Sequence, residues 1–126
     1  MIDQVKILIV DDNEKDVKLL NDYLVIHKFF VFTAKNGEDA FNQIQAQLPD
    51  LIIMDIMMPD MSCWSTCNKI KKDPLYRHIP ILMCSAYIED DGEFSKHHTA
   101  DGYIQKPIIL GSLLSTIQKL LEKKYV

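Results

Sequence analysis

The sequence predicts an α/β domain: a doubly wound, five-stranded parallel sheet with helices packed on both faces. Three observations lead there. Five short apolar runs recur along the chain, and most are continuous rather than alternating, as strands buried on both faces must be. Between them lie longer segments with apolar residues at helical spacing, so strand and helix alternate five times with short connections, a (βα)5 pattern of right-handed parallel crossovers. The chain has 126 residues, 48% of them apolar. That suits one sizeable core and leaves no room for a second domain, so residues 1–126 read as a single unit.

The first run, Val5-Lys6-Ile7-Leu8-Ile9-Val10, stops abruptly at Asp11. Asn13 stands where a helix N-cap belongs, and Val17, Leu20 and Leu24 then recur at helical spacing toward His27. A second strand covers residues 29–34. Asn36-Gly37 turns the chain into a helix whose inward stripe is Ala40, Phe41, Ile44 and Leu48, and Pro49 ends it. Asp50 leads into Leu51-Ile52-Ile53-Met54, a third strand that closes on Asp55. A helix over residues 63–72 precedes Asp73-Pro74. The fourth strand is Ile79-Pro80-Ile81-Leu82-Met83-Cys84, with Pro80 tolerable near its beginning. Residues 89–98 start acidic, as a helix N-terminus should, but Phe94 is almost their only strong apolar anchor, so a marginally packed helix is expected. A short fifth strand over 102–105 is followed by a last helix burying Leu110, Leu113, Leu114, Ile117, Leu120 and Leu121 on one stripe.

Composition narrows the function. A formal net charge of −4 argues against nucleic acid as the direct partner, because phosphate backbones demand clustered Lys and Arg. Basic residues such as Lys71 and Lys72 read as solvated helix faces. No stretch reaches the ~18 consecutive apolar residues needed to span a bilayer, and Met1-Ile2-Asp3-Gln4 lacks the basic start of a signal peptide. No membrane insertion and a cytoplasmic location are expected. Cys63, Cys67 and Cys84 form no complete zinc-ligand set and read as reduced thiols.

In open parallel sheets, ligands gather at the carboxyl ends of the strands, where strand order reverses. The acidic pair Asp11 and Asp12, the lone Asp55, Ser85 and the dipeptide Lys106-Pro107 each follow an apolar run. The fold therefore draws three carboxylates, a hydroxyl and an ammonium to one point. Two unit charges about 4 Å apart repel by roughly 4 kcal/mol at an effective dielectric near 20, so three acids need positive compensation. Lys106 supplies one charge, and a hard divalent cation with oxygen ligands, best matched by Mg²⁺, supplies the rest. A carboxylate so placed can act as a covalent nucleophile toward phosphorus, which singles out Asp55. Lys106 and the Ser85 hydroxyl would each contact an oxygen of the transferring group.

These residues resemble the receiver domain of two-component response regulators, the CheY-like fold, along essentially the whole chain. The resemblance rests on Ile-Val-Asp-Asp-Asn at 9–13, Ile-Met-Asp-Ile-Met-Met-Pro-Asp-Met at 53–61, Ser85-Ala86, and Tyr103-Ile104-Gln105-Lys106-Pro107. It implies a flavodoxin-like strand order of 2-1-3-4-5, and a phosphoryl group accepted by Asp55 from a sensor histidine kinase, a histidine phosphotransfer protein or a small phosphodonor. It implies Mg²⁺ on Asp12, Asp55 and the backbone carbonyl of Met57, with Asp11 acting largely through water. It makes Ser85 and Tyr103 a switch pair, the ring following the hydroxyl inward, and makes Lys106-Pro107 a cis peptide. Bulky residues at Met57 and Tyr87, positions that tune hydrolysis in this family, imply a phosphoryl lifetime longer than seconds.

The chain departs from the family pattern at Ser62-Cys63, where an acidic or small residue followed by Gly is usual, and at Thr99, where a Gly usually stops the preceding helix. His97 and His98 read as solvent-facing. The expected output is a change of surface rather than turnover of an outside substrate, so the protein is not expected to be an enzyme. A downstream target protein would dock on residues 89–98 with the fifth strand and the last helix, the chain being a monomer or a phosphorylation-dependent dimer. With the sequence ending at Val126, a stand-alone receiver is the first expectation, and a phosphorelay intermediate or a piece of a hybrid kinase or larger regulator the second. A dehalogenase-type aspartyl-phosphate hydrolase would need a second acid where Met57 stands. A flavodoxin-like flavin binder needs a phosphate cradle where Asp11 and Asp12 would repel it.

Overall fold

The computed structural model describes residues 4–55, 63–85 and 100–124. Within them the order is β1 (Lys6–Val10), α1 (Glu14–Ile26), β2 (Phe30–Ala34), α2 (Gly37–Ala46), β3 (Leu51–Asp55), α3 (Cys63–Lys72), β4 (Ile81–Ser85), β5 (Gly102–Gln105) and α4 (Leu110–Lys124). The expected helix over 89–98 lies outside the described residues. All strands run parallel in the order β2-β1-β3-β4-β5, which is the order the family resemblance implied. The switch point falls between β1 and β3.

Successive residues of a strand face opposite sides of a sheet, and here both sides are covered. Leu8, Val10, Ile52, Met54, Ile81 and Met83 pack with Ala40 and Ile44 of α2 and with Cys67 and Ile70 of α3. Ile7, Ile9, Leu51, Ile53, Leu82 and Cys84 pack with Leu20 and Leu24 of α1 and with Leu113, Ile117 and Leu120 of α4. This two-sided burial is why the strand sequences are continuously apolar. Every residue of β3 is buried.

The helices begin where capping side chains allow. Asn13 accepts from the Asp16 N–H at 3.1 Å, and Asn36 accepts from the Asp39 N–H at 2.8 Å. Each satisfies a backbone donor that the first turn would leave unpaired. After α1 the chain reverses through Lys28 at φ 73°, a left-handed position for a side chain that gains nothing there. The Phe29 N–H closes the turn on the Leu24 carbonyl at 3.1 Å.

Three expectations need correction. Leu48 is not part of an inward stripe: α2 ends at Ala46, Gln47 is already extended, and Leu48 is 48% exposed. A residue before proline is pushed out of the helical region, so the stripe could not continue to it. Pro80 precedes β4 instead of lying within it, and its carbonyl accepts from the Ile52 N–H at 3.0 Å. Lys71 is not a solvated charge. Its side chain is 17% exposed, pairs with Asp101 at 2.6 Å, and donates to the Ile79 carbonyl at 2.8 Å. The α3–β4 connection leaves carbonyls that need a donor, and the long lysine stem reaches them. Lys72 is exposed, as expected.

The amino ends of the strands are fastened by two aspartates. Asp50 accepts from the Lys6 N–H at 2.8 Å and donates its own N–H to the Lys6 carbonyl at 2.7 Å. Asp101 accepts from the Ile81 N–H at 2.8 Å and donates back to the Ile81 carbonyl at 2.9 Å. Each therefore clips its own strand to a neighbour at the rim opposite the acids.

Candidate functional site

Asp11 is the first residue beyond β1, and its N–H still reaches the Ala34 carbonyl of β2 at 3.1 Å, which anchors its backbone to the sheet. Asp55 is the last residue of β3. Because β1 and β3 are neighbours in register, Val10 opposite Met54, these two acids emerge side by side. Carboxylate oxygens of Asp11, Asp12 and Asp55 lie within 4.8 Å of one another. Asp11 and Asp55 are buried and Asp12 is exposed.

Lys106 arrives from the far side of the sheet. It follows β5 directly, and the Lys106–Pro107 peptide is cis. Its ammonium lies 3.3 Å from Asp11, 3.4 Å from Asp55 and 2.8 Å from Asp16. An ammonium has three donors, and among the described residues three carboxylates surround this one. Ser85 ends β4 opposite Gln105, one residue before Lys106; the Ser85 hydroxyl lies outside what is described, as do Met57, Ser62, Ala86, Tyr87, His97, His98 and Thr99.

The charges around Asp11 disagree with one another, and the outcome is legible in its protonation. Burial pushes its carboxyl up most strongly, the Asn13 N–H hydrogen bond at 2.9 Å pulls it down, Asp55 pushes it up again, and Lys106 pulls it down, leaving it at about 6 against an ordinary 3.8. Burial opposes charging of Lys106 too, but the hydrogen bond to Asp16 and the charges of Asp11, Asp55 and Asp16 outweigh it and hold the ammonium above the usual lysine range. The Cys84 thiol is pushed up to about 12, chiefly by burial. A buried thiol raised this far carries little thiolate at neutral pH, which makes it a poor nucleophile.

A pH dependence follows. A carboxyl that titrates near 6 in the fold and near 3.8 in the unfolded chain binds its proton more tightly when folded, so it stabilises the native state fully below 3.8 and loses that contribution as pH rises through 6. Without divalent metal, the stability of Asp11→Asn minus that of the wild type should rise between pH 4 and pH 7, by about 2–3 kcal/mol at roughly 1.4 kcal/mol for each unit by which the fold raises the carboxyl's pKa. Urea denaturation at both pH values measures it, and an unchanged difference would refute the shift.

Tyr103, in β5, is half-buried with its ring centroid 6.4 Å from that of Trp64 in α3. Burial, then Cys67 and Asp101, raise its phenol. A cleft of about 460 Å³ opens beside the acids, between α1 and the carboxyl end of β2, lined in part by Asp11, Asp12, Lys18 and Lys35. The residue that sequence reasoning missed is Asp16. It lies in the first turn of α1, and the only signal for it was its place one turn beyond Asn13.

Hard carboxylate oxygens packed this closely fit Mg²⁺ or a similar cation, and Asp11, Asp12 and Asp55 are the residues that would hold it. No helix among the described residues is long and apolar enough to cross a membrane.

Comparison with known proteins agrees with this geometry. A family model described as the response regulator receiver domain matches residues 7–118. The response regulator PleD of Caulobacter vibrioides is 35% identical over 96% of this chain, which spans 27% of PleD's length. The polar-differentiation response regulator DivK of Brucella anthropi is 32% identical over 91% of this chain and 94% of its own. Among solved structures, response regulator TrrA of Thermotoga maritima, in complex with Mg(2+)-BeF, superposes with a TM-score of 0.83 at 30% identity, covering 93% of this chain and 99% of its own. From fold, acidic cluster and kinship together, the chain belongs to the receiver domains of two-component response regulators.

Proposed function

We propose that the protein takes a phosphoryl group onto Asp55 and thereby switches a protein-binding surface. One observation carries the reading: the Asp55 carboxylate stands in a cluster of three acids no more than 4.8 Å across, with an ammonium 3.4 Å away. A structural ion pair needs one acid, not three.

In the proposed transfer, an Asp55 carboxylate oxygen forms a new bond to phosphorus. The bond from phosphorus to the donor's leaving atom breaks, and that atom keeps the electron pair: the imidazole nitrogen of a phosphohistidine, or the carboxylate oxygen of acetate when acetyl phosphate is the donor. A sensor histidine kinase, a histidine phosphotransfer protein or acetyl phosphate supplies the group. Asp12, Asp55 and the Met57 carbonyl, with Asp11 through water, would hold Mg²⁺, whose chemistry there is to neutralise charge on the phosphoryl oxygens. Lys106 donates to one phosphoryl oxygen, a compact charge on a flexible stem. Ser85 donates to another, and Tyr103 follows it inward.

The new charge then biases two arrangements of the surface formed by residues 89–98, β5 and α4, where a downstream protein binds. The chain turns over no outside substrate and works in the cytoplasm as a stand-alone receiver, a relay, or a module of a larger regulator. The Mg(2+)-BeF complex of TrrA supports both the cation and the anion in this reading.

Incubation with acetyl phosphate and Mg²⁺ should add one phosphoryl group to the intact mass, and chelation of the metal should prevent it. A mass unchanged under these conditions would overturn the reading.

A further inference from the structure

Among the described residues, the carboxylate nearest Lys106 belongs to neither β1 nor β3. Asp16 is 2.8 Å from the ammonium, within the range of a strong charge-assisted hydrogen bond, whereas Asp11 and Asp55 stand at 3.3 and 3.4 Å. The backbone of Asp16 is anchored in the first turn of α1, its N–H tied to the Asn13 cap at 3.1 Å. Its side chain is 37% exposed against 4% for Asp11, so holding it there costs little desolvation. It is not one of the three acids whose oxygens share a 4.8 Å cluster.

That separation matters once the cluster is occupied. Asp11, Asp12 and Asp55 then direct their charge to the cation, and among the described residues Asp16 is the carboxylate left to compete for the lysine. A phosphoryl oxygen on Asp55 needs the same ammonium.

We propose that Asp16 is a positioning residue that restrains Lys106 and opposes the phosphoryl-bearing state, setting a threshold for activation. This rests on the reading of Asp55 as phosphoryl acceptor. A negative charge on the first turn of α1, outside the three-acid cluster, draws the ammonium toward α1 and weakens its hold on any anion at Asp55.

The test is titration with fluoroberyllate at Mg²⁺ concentrations that saturate each variant, followed by calorimetry or fluorine NMR. Asp16→Asn should bind the anion about three- to fivefold more tightly than wild type, the upper part of the range set by a partly exposed ion pair. Asp16→Glu, which keeps the charge, should bind within about twofold of wild type. A merely structural role would give weaker binding on substitution, never tighter. Wild-type binding with Asp16→Asn equal to it or weaker overturns this inference alone. Failure of wild type to bind fluoroberyllate at all overturns both this inference and the reading beneath it.

Discussion

Asp55→Asn is expected to take up no phosphoryl group from acetyl phosphate and Mg²⁺ while keeping its fold. The amide matches the carboxylate in shape, so the carboxyl end of β3 is left in place, but it offers no anionic oxygen to attack phosphorus. The same change removes one of the charges that push Asp11 up to about 6. Asp11 should then titrate closer to the ordinary carboxylate range. Two crowded charges near 4 Å cost up to roughly 4 kcal/mol at an effective dielectric of 20, so in metal-free buffer the variant should melt no lower than wild type, even though Asp55 is a partner of Lys106 at 3.4 Å. Mg²⁺ should bind it about tenfold or more weakly, the loss of a charged ligand being worth at least 1.4 kcal/mol. Intact mass, thermal melting and calorimetry read the three effects. A phosphoryl group retained by the Asn variant would move the acceptor to another residue.

Lys106→Met should damage both chemistry and stability, and the two losses should respond oppositely to Mg²⁺. Removing a preorganised donor from charge that develops in transfer slows such reactions about 10²- to 10³-fold, and phosphoryl uptake should fall by that order. In metal-free buffer at pH 8, Asp11, Asp16 and Asp55 all lose their common partner. Deleting one member of a buried pair destabilises by about 3–5 kcal/mol. Because Lys106 keeps some contact with water and Asp11 can take a proton, about 2–4 kcal/mol is expected here. Mg²⁺ should restore most of this stability, since it binds the native state alone and answers the same charges, yet leave the transfer slow. Equal stability of variant and wild type without metal would show that the lysine does not compensate the acids.

The parts of the fold that could be read in the chain are those where one residue type answers one local demand. Continuous apolar runs mark β1, β3 and β4 because both faces of the sheet are covered, and the polar residues Asp11, Asp55 and Ser85 mark where those runs stop. Asn13 could be placed as a cap because a cap is a local hydrogen bond. What escaped was non-local. Lys71 looks like any surface lysine until Asp101, thirty positions on, is brought beside it. Asp16 and Lys106 are separated by ninety positions, and no periodicity connects them. Leu48 continued the helical pattern on paper, but Pro49 forbade the backbone it required. The cis Lys106–Pro107 bond was accessible through kinship alone, for most such peptides are trans.

The two aspartates that clip Lys6 and Ile81 sit at one end of the strands, and every acid that crowds Lys106 sits at the other. Hardware and workbench are thus kept at opposite ends of the molecule. Substitutions among the acids, the lysine's neighbours or the adjoining loops therefore leave both clips of the sheet untouched.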